Sequence, residues 1–315
     1  MKRAFKWLAL ALLLLIGGAV ALAWTPDRDA AELRGKYMDA SSRMLDLGDG
    51  LRVHVRDEGP RDAPAVVLLH GSNASLHTWD AWTRRLSRHY RVVRYDQPGH
   101  GLTGPHPRGD YRAGAFVDVA ERVAARLGLD RFVLAGNSMG GWVAWNYALA
   151  HPQRLRGLVL VDASGPPDSE PKTLPIGFRI ARSPIAPWFG KLTPRALIER
   201  SVHQSMFVQS PITPAMIDRY HELLLYPGNR RATLDRARTP RAAATSAAMA
   251  RIDAPTLILW GEEDTLIPVS AGRWFDRAIP NSTLVVFPKV GHIPMEEAPD
   301  ASARALGAWL ARLPA

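Results

Sequence analysis

Gly136-Asn137-Ser138-Met139-Gly140 sets a serine between two glycines, after an apolar run that reads as a strand and before a small-residue stretch that reads as a helix. In that setting the glycines permit a tight strand-to-helix turn that lifts the hydroxyl clear of a sheet. The helix N-terminus then offers free N–H groups and a partial positive charge to developing negative charge. A serine hydroxyl is a weak nucleophile until a base takes its proton, and a histidine base works in the tautomer that a carboxylate fixes. Asp264 lies just beyond the apolar run ending at Trp260, and His292 follows Val290-Gly291 beyond the last such run. These positions predict Ser138 as nucleophile, His292 as general base and Asp264 as the acid that orients the histidine. Asp162 also ends a strand-like run and is the alternative acid.

Acyl transfer also needs donors for a tetrahedral oxyanion. The N–H of Met139 follows the nucleophile, and the turn His70-Gly71-Ser72-Asn73 leaves another strand-like run, so Ser72 is expected to supply the second N–H. Asn73 is the alternative donor and a candidate substrate contact. His70 and His100 read as hydrogen-bonders that organise their loops rather than as proton shuttles.

Such residues converge only if the strands beneath them are parallel and their ends level. Residues 43–57 alternate around Asp49-Gly50 as an antiparallel hairpin. Short apolar runs at 65–69, 91–95, 132–135, 158–161, 256–260 and 283–287 read as buried strands, and helical patterns separate them at 79–88, 113–127, 140–150 and 271–278. This alternation predicts an α/β fold with a mostly parallel sheet and helices on both faces. It is interrupted over 165–250, a Pro- and Arg-rich stretch with helix-like pieces. The expected organisation is an N-terminal segment at 1–26, a core at 40–164 and 251–315, and a helical cap at 165–250 whose Trp188 and Phe207 face an apolar substrate.

His70-Gly71, Asp96-x-Pro98-Gly99-His100-Gly101, Gly136-Asn137-Ser138-Met139-Gly140-Gly141, Gly261-x-x-Asp264 and Gly291-His292 occur in an order that resembles the α/β-hydrolase superfamily over about residues 40 to 315. The resemblance implies the chain order Ser, Asp, His for the triad and favours Asp264 over Asp162. Members with this type of serine turn include esterases and hydrolases of carbon–carbon bonds in aromatic ring-fission products. Dehalogenases and epoxide hydrolases of the same fold carry aspartate where Ser138 stands and are disfavoured. The expected activity is hydrolysis of a carboxylic ester, or a related acyl bond, of an apolar small molecule. The alternatives are carbon–carbon bond hydrolysis, a cofactor-free perhydrolase or haloperoxidase, and a non-catalytic binding protein on the same fold.

The chain has 315 residues and no cysteine, which excludes disulfides, thiolate metal sites and a cysteine nucleophile. No phosphate loop, dinucleotide glycine pattern or His-Glu-x-x-His is present, so no metal or organic cofactor is implied. The net charge of +10 comes from 40 Lys and Arg against 30 Asp and Glu, scattered rather than clustered, so nucleic acid is not an expected partner. Lys2, Arg3 and Lys6 precede an uncharged run, Trp7 to Trp24, that would be about 27 Å long as a helix. It predicts a single membrane span with the catalytic domain on the non-cytoplasmic side. The alternative is export after signal cleavage near Ala19, Ala21 and Ala23.

Overall fold

The computed structural model describes residues 2–167, 179, 181–183, 186 and 190–314. Eight strands form one sheet: β1 (Ser42–Asp46), β2 (Arg52–Glu58), β3 (Ala65–Leu69), β4 (Arg91–Tyr95), β5 (Phe132–Asn137), β6 (Leu155–Val161), β7 (Thr256–Gly261) and β8 (Ser282–Phe287). Their spatial order is β1-β2-β4-β3-β5-β6-β7-β8. β1 pairs antiparallel with β2, and β2 with β4, while every later pairing is parallel. Buried parallel strands lack a solvent face, which explains why β3, β5 and β7 are buried along their whole length and read as apolar runs rather than alternations.

Helices cover both faces. On one, α4 (Ala113–Arg126) and α5 (Met139–Ala150) bury Phe116, Val123, Trp142 and Val143 against the sheet, with Phe275 of the helix Val269–Ala278. On the other, α3 (Asp80–Leu86) packs Trp82 near Trp79, Leu306 and Trp309 of the closing helix Pro299–Leu310, and Trp82 Nε1 donates to Ser302 Oγ at 2.9 Å. The register sets Asn137 beside Val161 and Val161 beside Leu259, so β5, β6 and β7 end within a few residues of one level. Ser138, Asp162, Asp264 and His292 all leave the carboxyl edge of the sheet, where open α/β sheets build their sites.

Between β6 and β7 the described residues include the helices Arg195–Ser205, Pro214–Leu224, Asn229–Arg238 and Ser246–Met249. A short helix that the sequence pattern did not announce, α2 (Ala30–Tyr37), starts from Asp29, whose carboxylate accepts the N–H groups of Ala31 and Glu32. Its Leu33 is buried with Leu223 and Tyr226. The segment from Trp24 to Tyr37 is strapped to the β6–β7 insertion throughout. Trp24 bridges to Leu192, Thr25 N donates to Lys191 O, Arg230 pairs with Asp27, and Glu222 accepts from Arg28, Lys36 and Tyr37.

The expected membrane span is corrected. α1 (Lys2–Ala23) is helical, yet among the described residues no helix is long and apolar enough to cross a membrane. Lys2, Arg3 and Lys6 lie within the helix itself, in its first two turns. The expected single span with the catalytic domain on the non-cytoplasmic side therefore does not stand.

Candidate active site

Ser138 occupies a backbone conformation that residues with a Cβ rarely adopt, φ 53° and ψ −115°. Three backbone hydrogen bonds hold it there. Its N–H donates to Val161 O at 3.0 Å, and its carbonyl accepts from Trp142 N at 3.1 Å and Ser164 N at 3.0 Å. The flanking glycines are required by contact: a Cβ at Gly136 would stand 2.1 Å from Gly140 O, and one at Gly140 would stand 2.2 Å from Leu69 O. α5 thus presses onto the end of β3, bringing the loop after β3 beside the serine. A Cβ at Gly71 would lie 3.2 Å from Ser138 Cβ.

His292 Nδ1 donates to Asp264 Oδ2 at 2.7 Å, and both residues are buried. The other oxygen of Asp264 accepts Leu266 N at 2.7 Å and Ile267 N at 3.0 Å, so this carboxylate is aimed by its own turn. The His292 loop is held from three sides. Asn137 Nδ2 donates to His292 O at 3.1 Å, His292 N donates to Ser205 O at 2.8 Å, and Gly291 N donates to Glu297 Oε2 at 2.7 Å. Glu297 Oε1 also accepts Val208 N at 2.6 Å. Burial pushes the Glu297 carboxyl up against the opposing pull of those N–H donors.

Asp162 is not hydrogen-bonded to His292 in the way Asp264 is. Its Oδ1 accepts Gly261 N at 2.9 Å, its backbone has φ 45°, and burial together with the neighbouring Asp264 charge raises its carboxyl well above the usual carboxylate range. Asp162, Asp264 and His292 nevertheless each bring one donor or acceptor atom to within 4.8 Å of the others.

Met139 opens α5, so its N–H has no carbonyl four residues back inside the helix. Ser72 follows Gly71 in the loop that touches Ser138. Asn73, at φ 57°, turns its Oδ1 toward the β6–β7 insertion, where it accepts Thr233 Oγ1 and Arg236 Nη2, each at 3.0 Å. Phe207 is 50% exposed, and Trp188 lies outside the described residues. His70 is wholly buried, with Nδ1 donating to Gly71 O at 2.8 Å and Nε2 accepting Gln97 N at 2.9 Å. That fixes a neutral ring, and burial pushes its pKa down. Burial does the same to His100, more strongly.

A second Ser-His-Asp array was hidden in the sequence because its members are spread over two strands and the loop after a third. Ser42 Oγ lies 3.0 Å from His54 Nε2, and His54 Nδ1 lies 2.8 Å from Asp96 Oδ2. Here Ser42 Oγ accepts Arg56 Nε at 2.9 Å and Asp39 N at 3.2 Å, His54 is wholly buried, and no helix starts at the serine. Asp96 also accepts Leu76 N and Leu102 N. Although burial opposes its ionisation, the His54 charge and hydrogen bond hold its carboxyl well below the usual range. This array ties β1, β2 and the loops after β3 and β4 together, whereas the Ser138 array faces the carboxyl edge of the sheet.

Glu297 and the anchoring role of Asn137 escaped the sequence reading. The signal for the first was present in Glu296-Glu297 so soon after His292, but which of two adjacent carboxylates turns inward depends on the helix Pro294–Glu297 that carries them.

A family model described as the alpha/beta hydrolase family matches residues 66–305. A Pseudomonas putida protein named 2-hydroxy-6-oxononadienedioate/2-hydroxy-6-oxononatrienedioate hydrolase 2 is 31% identical over 266 residues, 80% of this chain and 90% of that protein. Among solved structures, a membrane phospholipase A described as a bacterial virulence factor superposes with a TM-score of 0.74 at 26% identity, covering 99% of both chains. A thermophilic esterase from Thermogutta terrifontis gives a TM-score of 0.71 at 26% identity over 87% of this chain and 99% of that one. With its sheet order, its strained serine turn and a model match across most of its length, the chain belongs to the alpha/beta hydrolase family.

Proposed function

We propose that the protein hydrolyses a carboxylic ester of an apolar small molecule through an acyl-enzyme on Ser138. His292 takes the serine proton as the hydroxyl attacks the carbonyl carbon, and Asp264 keeps the ring in the tautomer that leaves Nε2 free to accept it. The Met139 and Ser72 N–H groups receive the oxyanion. His292 then returns the proton to the leaving alcohol, and a water repeats the sequence to free the acid. The observation that carries this reading is the 2.7 Å contact from His292 to Asp264 beneath a serine held at φ 53° on the same sheet edge. Residues 165–250 serve as a cap, with Asn73, Trp188 and Phe207 bordering the substrate.

The decisive experiment pairs an active-site fluorophosphonate with p-nitrophenyl esters of graded acyl length. Labelling at Ser138, its loss in Ser138→Ala, and a fall of several orders of magnitude in turnover are expected. Unchanged hydrolysis by Ser138→Ala would remove the proposal. Each methylene buried against the cap is worth up to about 0.8 kcal/mol in the transition state, so kcat/KM should climb with acyl length until the pocket is full.

Carbon–carbon bond hydrolysis is the second reading, favoured by the name of the Pseudomonas putida relative. A 2-hydroxy-6-oxo-dienoate assayed beside the esters separates the two, because a higher kcat/KM for the dienoate would reverse the order.

A further inference from the structure

We propose that Asp162 and Asp264 form a two-carboxyl acid holding a single negative charge behind His292, in which Asp162 carries the proton and is a positioning residue able to replace Asp264. The inference rests on the reading of Ser138, His292 and Asp264 given above.

The hydrogen-bond inventory assigns the charge. Asp264 accepts from three donors: Leu266 N, Ile267 N and His292 Nδ1. Asp162 accepts from Gly261 N through Oδ1, while its Oδ2 is buried with no donor supplied to it. An ionised carboxylate in that position would have an oxygen that only accepts and nothing to accept from. A carboxylic acid turns the same oxygen into a hydroxyl, which can donate toward the Asp264 carboxylate nearby. Two like charges at such separation disfavour one another, so a pair of buried carboxyls settles on one proton between them. The Asp264 and Glu297 charges both act against a second ionisation at Asp162, and the Gly261 N–H alone favours it among the hydrogen bonds it makes.

The strand geometry makes the two exchangeable. Asp162 directly follows β6 and Asp264 sits on the turn beyond β7, the neighbouring strand. Asp162 Oδ1 binds the last residue of β7, so it also fixes the base of the turn that carries Asp264. One oxygen of each carboxyl and a ring nitrogen of His292 lie mutually within 4.8 Å. If the Asp264 charge is removed, Asp162 loses the neighbour that kept it neutral, releases its proton to solvent and can accept from His292.

The test is a cycle of Asp162→Asn, Asp264→Asn and the double variant, read as kcat/KM on a p-nitrophenyl ester. Asparagine reproduces the shape and donor of a neutral acid, so Asp162→Asn is expected to keep at least about 10 times the kcat/KM of Asp162→Leu, which cannot donate. Asp264→Asn should lose on the order of 10²-fold, short of the ~10⁴-fold typical when no second carboxylate is present. The double variant should lose the remainder, so Asp162→Asn costs at least about 10 times more in the Asp264→Asn background than alone. A folded Asp162→Asn that has lost about 10²-fold or more, or an equal cost in both backgrounds, would overturn the proposal. Infrared difference spectroscopy needs no turnover: a protonated-carboxyl band at neutral pH that disappears in Asp162→Asn is expected, and its absence from the unaltered protein is equally fatal. Ser138→Ala with unchanged hydrolysis would instead sink the underlying triad and leave the carboxyl band untouched.

Discussion

Ser138 at φ 53° is affordable because everything around it is small or bound. Gly140 meets Leu69 O and Gly141 meets Ala163 so closely that neither tolerates a Cβ without movement of backbone. Gly140→Ala is therefore expected to lower stability by roughly 1–3 kcal/mol and kcat/KM by more than the stability loss explains, since the loop after β3 is displaced with it. Thermal unfolding measured beside ester kinetics checks both. Asn137→Ala removes the donor to His292 O and one of the two donors to Val161 O, which keeps the Ser138 N–H, so one buried carbonyl is left short of a partner. Turnover should fall about 10-fold or more while KM moves little, because the change acts on the base rather than on substrate contacts. The contact between His292 and Asp264 and the tight turn at Ser138 were legible in the sequence because each of these is a chemically distinctive residue shortly after an apolar run. Asp162 facing Gly261 was not legible, because the two are 99 residues apart and their meeting is a consequence of strand order.

The strands themselves were legible for a related reason: a buried parallel strand must be apolar along its length, and β3, β5 and β7 are. What the sequence concealed was the tie between the helix Asn229–Arg238 and the loops beneath it. Arg236, buried and lying over the Tyr111 ring, donates to Gly99 O at 2.8 Å and to Asn73 Oδ1 at 3.0 Å. Burial, with help from Arg241, pushes its guanidinium down to about 9. Arg236→Met should leave Gly99 O unpaired and Asn73 Oδ1 with Thr233 Oγ1 alone, loosening the loop bearing Ser72, so fluorophosphonate labelling of Ser138 should slow by about 10-fold at unchanged fold, as circular dichroism can verify. The same loops hold three histidines kept neutral by burial: His70, His100 and His77, whose pKa falls to about 4. Their folded values lie below the unfolded value near 6.5. The unfolded chain therefore binds more protons in that window, and stability is fully present above about pH 6.5 and is lost as pH falls toward about 4. Calorimetric Tm should drop steadily between about pH 6.5 and 4.5. A flat Tm over that range would contradict the buried neutral rings.

At the scale of the whole molecule, the N-terminal strap and the β6–β7 insertion act as one body. Glu222 is buried and accepts from Arg28, Lys36 and Tyr37, so Glu222→Ala removes the acceptor of three ties at once, leaving Arg28 its pair with Glu32. A loss of about 2 kcal/mol is expected, with proteolytic cutting between residues 24 and 38 appearing before any cut in the sheet. Equal cutting of the variant and the unaltered protein would count against the strap. Composition could announce none of this, since α2 is short and polar and owes its position to side chains nearly 200 residues away.

Asp27 and its partner Arg230 are 203 residues apart. On a ribosome adding about 5–20 residues per second, the first half of that ion pair waits roughly 10–40 s for the second. Throughout that interval β1 to β6 can be completed while Asp27 lacks its partner, although Tyr37 O already has Arg56 and His77 as donors. Residues 24–38, made before any strand of the sheet, are thus tied to the β6–β7 insertion only after six strands have emerged, and the Asp27–Arg230 pair closes once the start of the helix Asn229–Arg238 is available.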